Sequence, residues 1–306
     1  MTNRATSVGD NGDIYKTKRR RTTIMGICFM LPITLYLLIF LIFPILRSAF
    51  LSMQDWDIMS FVSNKADFVG LKNYQTILSD PDFPHIALNS VLFTVVSLIF
   101  QFIFGLALAV FFTKRFPLSA TLRSLILLPW LLPVISSATV WRWMFNQDSG
   151  IINFLLGGQH IGWLSDPNIA LWAVIIANIW LGIPFNMVML YGGLQDIPED
   201  LYEAAAIDGA GAWQRFRHIT WPLLKPVTMV TLLLGLVYTL KAFDIIWVLT
   251  KGGPANSSHT IATWSYLMSF EGNLELGLGT AAGELLVITA LIFGFLYIKA
   301  QNKERY

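Results

Sequence analysis

Side chains able to do chemistry are sparse in this chain, and their spacing limits what they can do. The four histidines, His85, His160, His218 and His259, stand far apart, with none of the short spacings that place several ligands on one metal. The single cysteine, Cys28, lies in an apolar run, so no intrachain disulfide can form. No nucleophile motif or catalytic carboxylate pair is present, and no Gly-x-x-x-x-Gly-Lys-Ser/Thr loop offers to cradle nucleotide phosphates. What remains is a few charges inside otherwise apolar sequence. Lys241 and Asp244, three residues apart, can meet on one helix face. They form either a self-neutralising structural pair or a lining for a polar route. Glu284 is a proton-relay candidate, but Gly279, Ala281, Ala282 and Gly283 beside it favour a close helix contact. The chemistry within reach is passing a solute or an ion, not making bonds.

The elements that would position these groups are membrane helices. The 306 residues are 55% hydrophobic and 13% charged, against about 25% charged in ordinary soluble domains. A net charge of +2 excludes the basic face of a nucleic-acid binder. Charge-free runs cover Ile24 to Leu46, Ile86 to Thr113, Ser124 to Trp141 and Ile169 to Gln195. Each approaches or exceeds the roughly 20 apolar residues that a crossing helix needs. Two more runs are interrupted: Pro222 to Thr250 by Lys225, Lys241 and Asp244, and Leu276 to Ile298 by Glu284. The pattern predicts an all-α integral membrane protein of six transmembrane helices, with no internal repeat. The first run is too long for a signal peptide and lacks a small-residue cleavage site.

Basic residues set the expected orientation. Lys16, Lys18, Arg19, Arg20 and Arg21 precede the first span; Lys114, Arg115 and Arg123 follow the second; Arg215, Arg217 and Lys225 follow the fourth; Lys299, Lys303 and Arg305 end the chain. The loop after the third span has no Lys or Arg between Asn146 and Asn168. Both termini are therefore expected in the cytoplasm, as an even span count requires. Residues 1–23 read as a basic cytoplasmic tail, disordered before about Lys16. Residues 24–299 read as one six-helix domain with a loop at about 196–221, and 300–306 as a second cytoplasmic tail.

The loop between spans four and five carries the strongest pattern. Pro198 suits a first helical turn, and Glu199, Asp200 and Glu203 complement its dipole. Asp208-Gly209 breaks the helix, and a second short one is expected from about Ala212 to His218. Ala204, Ala205 and Ala206 leave one face small, while Trp213, Phe216 and Ile219 form an apolar stripe to anchor the element on the bundle. Two readings fit: docking into a partner's groove, or an amphipathic helix lying on the membrane. In the membrane, span four offers Asn178, Trp180, Gly182, Phe185 and Asn186 around Pro184, and span five offers Tyr238, Thr239, Lys241 and Asp244. Aromatic faces beside amides suit an uncharged sugar, and equally suit simple packing.

Glu203, Ala204, Ala205, Asp208, Gly209, Ala210, Phe216, Ile219, Pro222 and Pro226 together resemble the cytoplasmic coupling motif of ABC importer permeases, in its carbohydrate form. Phe68-Val69-Gly70-Leu71-Lys72-Asn73-Tyr74 and Gly252-Gly253-Pro254 agree with it, and the resemblance runs from about Ile24 to Ile298. It is closest to maltose-type subunits, without the extra N-terminal spans and large extracytoplasmic insertion that some carry. The resemblance implies a sugar permease with no cofactor or catalytic site of its own, ATP and Mg being handled by partners. Those partners are a second, homologous permease, two ATPase subunits and an extracytoplasmic sugar-binding protein; no nucleic acid is implied. It implies that Glu203 meets a basic residue of the ATPase and that Gly209 sets the turn. It also implies a sugar pathway at Asn178, Leu181, Gly182, Phe185, Gly235, Tyr238, Thr239 and Ala242. Gly235, Thr239 and Ala242 depart from the hydroxyl- and amide-bearing maltose pattern, which argues against maltose itself, and Lys241 would suit an acidic sugar. The rival is an ion-coupled secondary carrier using Asp244 or Glu284, which leaves the pattern from Glu203 to Pro226 unexplained.

Overall fold

A computed structural model describes residues 10–63, 65–114, 116–272 and 274–303. The chain divides into two units, Met1–Leu51 and Ser52–Tyr306. The first contains α1 (Asp10–Leu37), a π turn (Leu38–Ile42) and α2 (Phe43–Leu51). From Met25 to Leu51 these form one apolar helix long enough to cross a membrane, with no buried residue in its most apolar window. An apolar surface on every side is what lipid tolerates and water does not. The helix begins at Asp10, so residues 10–15, expected to be disordered, are helical. Residues 1–9, with Arg115 and Arg305 of the charge argument, lie outside the described residues.

The second unit opens with β1 (Gln54–Asp55), α3 (Ile58–Ser63), β2 (Asp67–Phe68) and α4 (Lys72–Ser79). The strands pair antiparallel, Gln54 opposite Phe68. This is where the Phe68–Tyr74 motif acts. Gly70 takes a φ of +59°, open to a residue without Cβ, and turns the chain into α4. Buried Asn73 then donates its amide to the carbonyls of Ser52 and Gln54 at 2.9 and 2.8 Å.

The membrane-spanning part follows: α5 (Phe83–Phe112), α6 (Ser119–Leu131), α7 (Val134–Met144), α8 (Ile151–Leu155), α9 (Ala170–Gln195), α10 (Glu199–Ile207), α11 (Ala212–Arg215), α12 (Trp221–Leu240), α13 (Asp244–Thr250), α14 (Ile261–Tyr266) and α15 (Leu276–Lys303). The helices α5 and α9 pack as the central pair. They approach closely at Gly105, where a Cβ would strike Asn186 and come within 3.1 Å of the α9 backbone. One apolar core joins Phe93 to Val174, Ile175, Ile245 and Ile246. A second joins Ile77 and Ile86 to Trp264, Ala281 and Ala282, so the small residues of α15 admit a neighbouring helix, as expected. Glu284 itself is half-buried.

Two of the six expected spans are broken. The third bends by 97° between α6 and α7. Leu132 is extended (φ −77°, ψ 146°) because it precedes Pro133, whose ring disfavours a helical neighbour and which has no N–H to give. The fifth ends at Leu240, and Lys241 to Phe243 separate α12 from α13. The stretch Ala212–Leu240 is still long enough to cross by itself, so five helices and one bent pair account for the spans among the described residues.

The loop after α13 folds back on the start of α5. Asn89 donates to the carbonyls of Ser257 and His259 at 3.1 and 3.2 Å, and Asn256 donates to Asp82 at 2.8 Å. Gly252 in the Gly252-Gly253-Pro254 turn has φ +80°, and a Cβ there would meet the His259 ring. His259 is buried, with Nδ1 3.0 Å from the Thr263 hydroxyl. Burial pushes its pKa down to about 4, opposed in part by Asp82. An unfolded histidine takes up its proton below about pH 6.5. The packing of this loop is therefore fully stable above about pH 6.5 and weakens as pH falls toward 4, by roughly 1.4 kcal/mol per unit. Hydrogen exchange across residues 252–263, corrected for intrinsic rate, should quicken between pH 7 and 5. His259→Gln should remove that pH dependence, and equal protection at both pH values would contradict the assignment.

Candidate functional site

The two helix breaks and the middle of α9 enclose a cavity of about 400 Å3. From α9 come Asn178, Leu181, Gly182 and Phe185; from α12 and the segment beyond it come Gly235, Tyr238, Thr239, Lys241, Ala242 and Asp244. These are all the pathway residues read from the sequence except Trp180 and Asn186, the latter buried and donating to the Gly182 carbonyl at 2.9 Å. Trp180 instead packs edge-on against Trp141, ring centroids 5.8 Å apart, on the core.

Sequence reasoning misses Gln101 of α5 and the residues at the breaks, Trp130, Val134, Phe243 and Ile245, which complete the lining. Gln101 is buried and donates to the Asn178 carbonyl at 2.9 Å. That bond needs Gly182 one turn along, since a Cβ there would run into the Gln101 amide. The acceptor in that bond is the main-chain oxygen; the Asn178 side-chain NH2 is buried without a hydrogen-bond partner. A buried donor left unpaired costs about 1–3 kcal/mol, so this one gains by pairing with an acceptor brought against it.

The apolar side of the cavity is aromatic. Phe185 stands 6.1 Å from Trp130 and 5.8 Å, edge-on, from Tyr238, and the Lys241 ammonium sits 5.3 Å above the Tyr238 ring. The expected one-face pairing of Lys241 with Asp244 does not form. Lys241 caps α12 and Asp244 opens α13, so the helical phase that would align them is interrupted. Among the described residues the only carboxylate within 4.0 Å of a basic group is Asp148, beside His160. Both charges instead line the cavity. Rings for stacking, an unpaired amide donor and one charge of each sign can hold a hydroxylated solute and orient a charged one.

The second region is the loop between α9 and α12. Pro198 caps α10, and Glu203 and Ala204 on it are exposed. Asp208 ends the helix, Gly209 turns the chain at φ +81°, and Ala210 donates back to the Ala205 carbonyl at 2.8 Å. The second helix is shorter than expected: α11 stops at Arg215, and a π turn from Phe216 to Thr220 runs on into α12, with Pro222 in its first turn. Attachment to the bundle also differs. Trp213 is 69% exposed and stacks on Phe216 at 5.7 Å, so the anchor consists of half-buried Phe216 and Ile219 without it. Phe216 reaches Trp221, which meets Phe102 of α5, and the Tyr202 hydroxyl bonds Thr220 at 2.9 Å. Any force on α10 therefore passes to α12 and α5 through packed rings and one buried hydroxyl.

Residues 101–304 match the family model described as a binding-protein-dependent transport system inner membrane component. The trehalose/maltose transport system permease protein MalF of Thermococcus litoralis is 37% identical over 97% of this chain and 99% of its own. The sulfoquinovosyl glycerol transport system permease protein SmoG of Agrobacterium fabrum is 32% identical over 90% of each. A crystal structure of a bacterial ABC transporter involved in import of the acidic polysaccharide alginate superposes with a TM-score of 0.79 at 23% identity, over 95% of this chain and 99% of that one.

Proposed function

Because the chain belongs to the inner membrane permease components of binding-protein-dependent ABC transporters, we propose that it carries a carbohydrate inward through the cavity around Asn178. As a permease subunit it is a multi-pass inner-membrane protein without a catalytic site of its own. The permease relatives named for trehalose or maltose and for sulfoquinovosyl glycerol support the substrate class. The observation that carries the site is the unpartnered Asn178 amide beside the Trp130, Phe185 and Tyr238 rings.

In this reading both termini are cytoplasmic, a second permease completes the pore, and one of two ATPase subunits docks on the loop around Glu203. An extracytoplasmic binding protein delivers the sugar. ATP binding draws the ATPase subunits together, the loop follows, and the spans tip from inward-open to outward-open. Loaded binding protein favours that same outward-open state, which couples sugar to ATP through one two-state element. Lys241 and Asp244 make a sugar derivative bearing a negative group the favoured cargo, Lys241 neutralising it and Asp244 setting its orientation.

The test is purification of the full chain with its accompanying subunits, followed by uptake into liposomes. A second permease and an ATPase should co-purify, and uptake should require ATP and the binding protein. Asn178→Ala should lower uptake about tenfold, the loss of one hydrogen bond to the cargo. Lys241→Ala should impair acidic sugars and spare neutral ones. Uptake that proceeds without ATP and collapses with a protonophore would replace this reading with the ion-coupled carrier.

A further inference from the structure

A larger cavity, about 860 Å3, lies where the ends of α5 and α9 and the start of α6 meet the loop that carries α10 and α11. Lys114 follows the end of α5, Arg123 comes from α6 and Arg215 ends α11, and all three line it. Glu199 is the one acidic residue of the lining, and no carboxylate among the described residues comes within 4.0 Å of any of the three cations. Cations that only set topology need nothing more than water around them. These are placed differently. Arg123 is half-buried and held with its guanidinium 4.4 Å over the Tyr191 ring. Arg215 is half-buried too, and its Nε is enclosed with no hydrogen-bond partner. A partly desolvated guanidinium without a counter-charge is costly, and two of them on one cavity with a lysine leave a strong demand for an anion.

We propose that this cavity binds a phosphate group, that of an anionic phospholipid in the cytoplasmic leaflet. Two planar guanidinium forks suit the bidentate recognition of a tetrahedral oxyanion, and Lys114 adds a point charge at the exposed rim. Val110, Phe112 and Phe116 supply an apolar wall along the same cavity, suited to the acyl end of a lipid. The site would join the bundle to the loop, since Arg215, Glu199 and Tyr202 belong to the loop and Arg123 and Lys114 do not. Occupancy would hold the loop in one position and make transport sensitive to lipid composition. The choice of leaflet rests on the orientation proposed above.

The full chain with its accompanying subunits is placed in nanodiscs of phosphatidylcholine, with or without phosphatidylglycerol. The rate of Lys114 acylation is then followed by mass spectrometry. Phosphatidylglycerol should slow acylation of Lys114 several-fold. The double change Arg123→Gln with Arg215→Gln should abolish that protection, and Arg123→Lys with Arg215→Lys should restore most of it, showing that the variants fold. Inorganic phosphate added to the phosphatidylcholine discs is the second arm. Protection there, with the same dependence on the two arginines, would support the phosphate site and make its source a soluble ligand. Equal acylation in every condition would overturn the proposal. So would protection that survives the double Arg→Gln change, because that is only the attraction of a charged membrane surface for any lysine. In vesicles, a membrane-impermeant reagent applied to either side separates a wrong orientation from a missing site.

Discussion

Glu203→Lys is expected to abolish ATP-driven uptake, by about 100-fold or more, while leaving the amount and thermal stability of the chain unchanged. Glu203 is exposed on α10 and has no ion-pair partner within 4.0 Å among the described residues. Its loss costs this chain nothing, as for most surface substitutions. Its value lies in the contact with the ATPase proposed here. Removing one partner of an enclosed charge pair costs about 2–5 kcal/mol, and reversing the sign adds repulsion to the loss. About 2.8 kcal/mol is already a factor of 100. The effect should appear as loss of co-purifying ATPase and of uptake together. A Glu203→Lys variant that transports at the wild-type rate would remove the loop from the mechanism.

Gly105→Leu is expected to do the opposite, removing the protein before function can be measured. A Cβ at Gly105 has Asn186 and the α9 backbone in its way, and neither is the far end of a flexible side chain. The central pair of helices must separate to admit it. Overpacking a fitted core costs about 1–3 kcal/mol, occasionally more. Here the separation also strains the bond from Gln101 to the Asn178 carbonyl, one turn away on the same face of α5. Membrane levels should fall severely and the residual protein should melt earlier. Gly294→Leu, whose Cβ meets nothing within 4 Å in this chain, is the control and should accumulate normally. Normal accumulation of the Gly105→Leu variant would mean that α5 and α9 are less closely fitted than the structure shows.

The spans and the loop are legible in the sequence because the cost of burying charge in lipid is written directly into residue order. The breaks are not, because hydropathy measures side chains and both breaks are backbone events. Pro129 and Pro133 give a signal for the first. Nothing comparable marks Lys241 to Phe243, and without that break the spacing of Lys241 and Asp244 suggests a face that does not exist. Composition groups Trp180 with its neighbours although helical phase argues against it. Asn178, Leu181, Gly182 and Phe185 follow a spacing of three and four, while Trp180 is turned about 200° from Asn178. Gln101 and Trp130 are out of reach for another reason. They join the cavity only through tertiary packing, Gln101 across 77 residues of sequence. Trp213 has the period of an anchor, but period does not say how far a short helix leans from its support.

The long-range hydrogen bonds made by α5 also have a consequence in time. Gln101 finds its acceptor 77 residues downstream, and Asn89 finds its acceptors 168 and 170 residues downstream. At a synthesis rate of about 5–20 residues per second, roughly 4–15 seconds pass before the first partner is made, and about 8–34 before the second. During that interval a newborn α5 holds unsatisfied amides in or beside the bilayer. Ribosome-bound chains stopped before α9 should therefore be held by insertion factors or degraded, and those extended past His259 should be released from that surveillance.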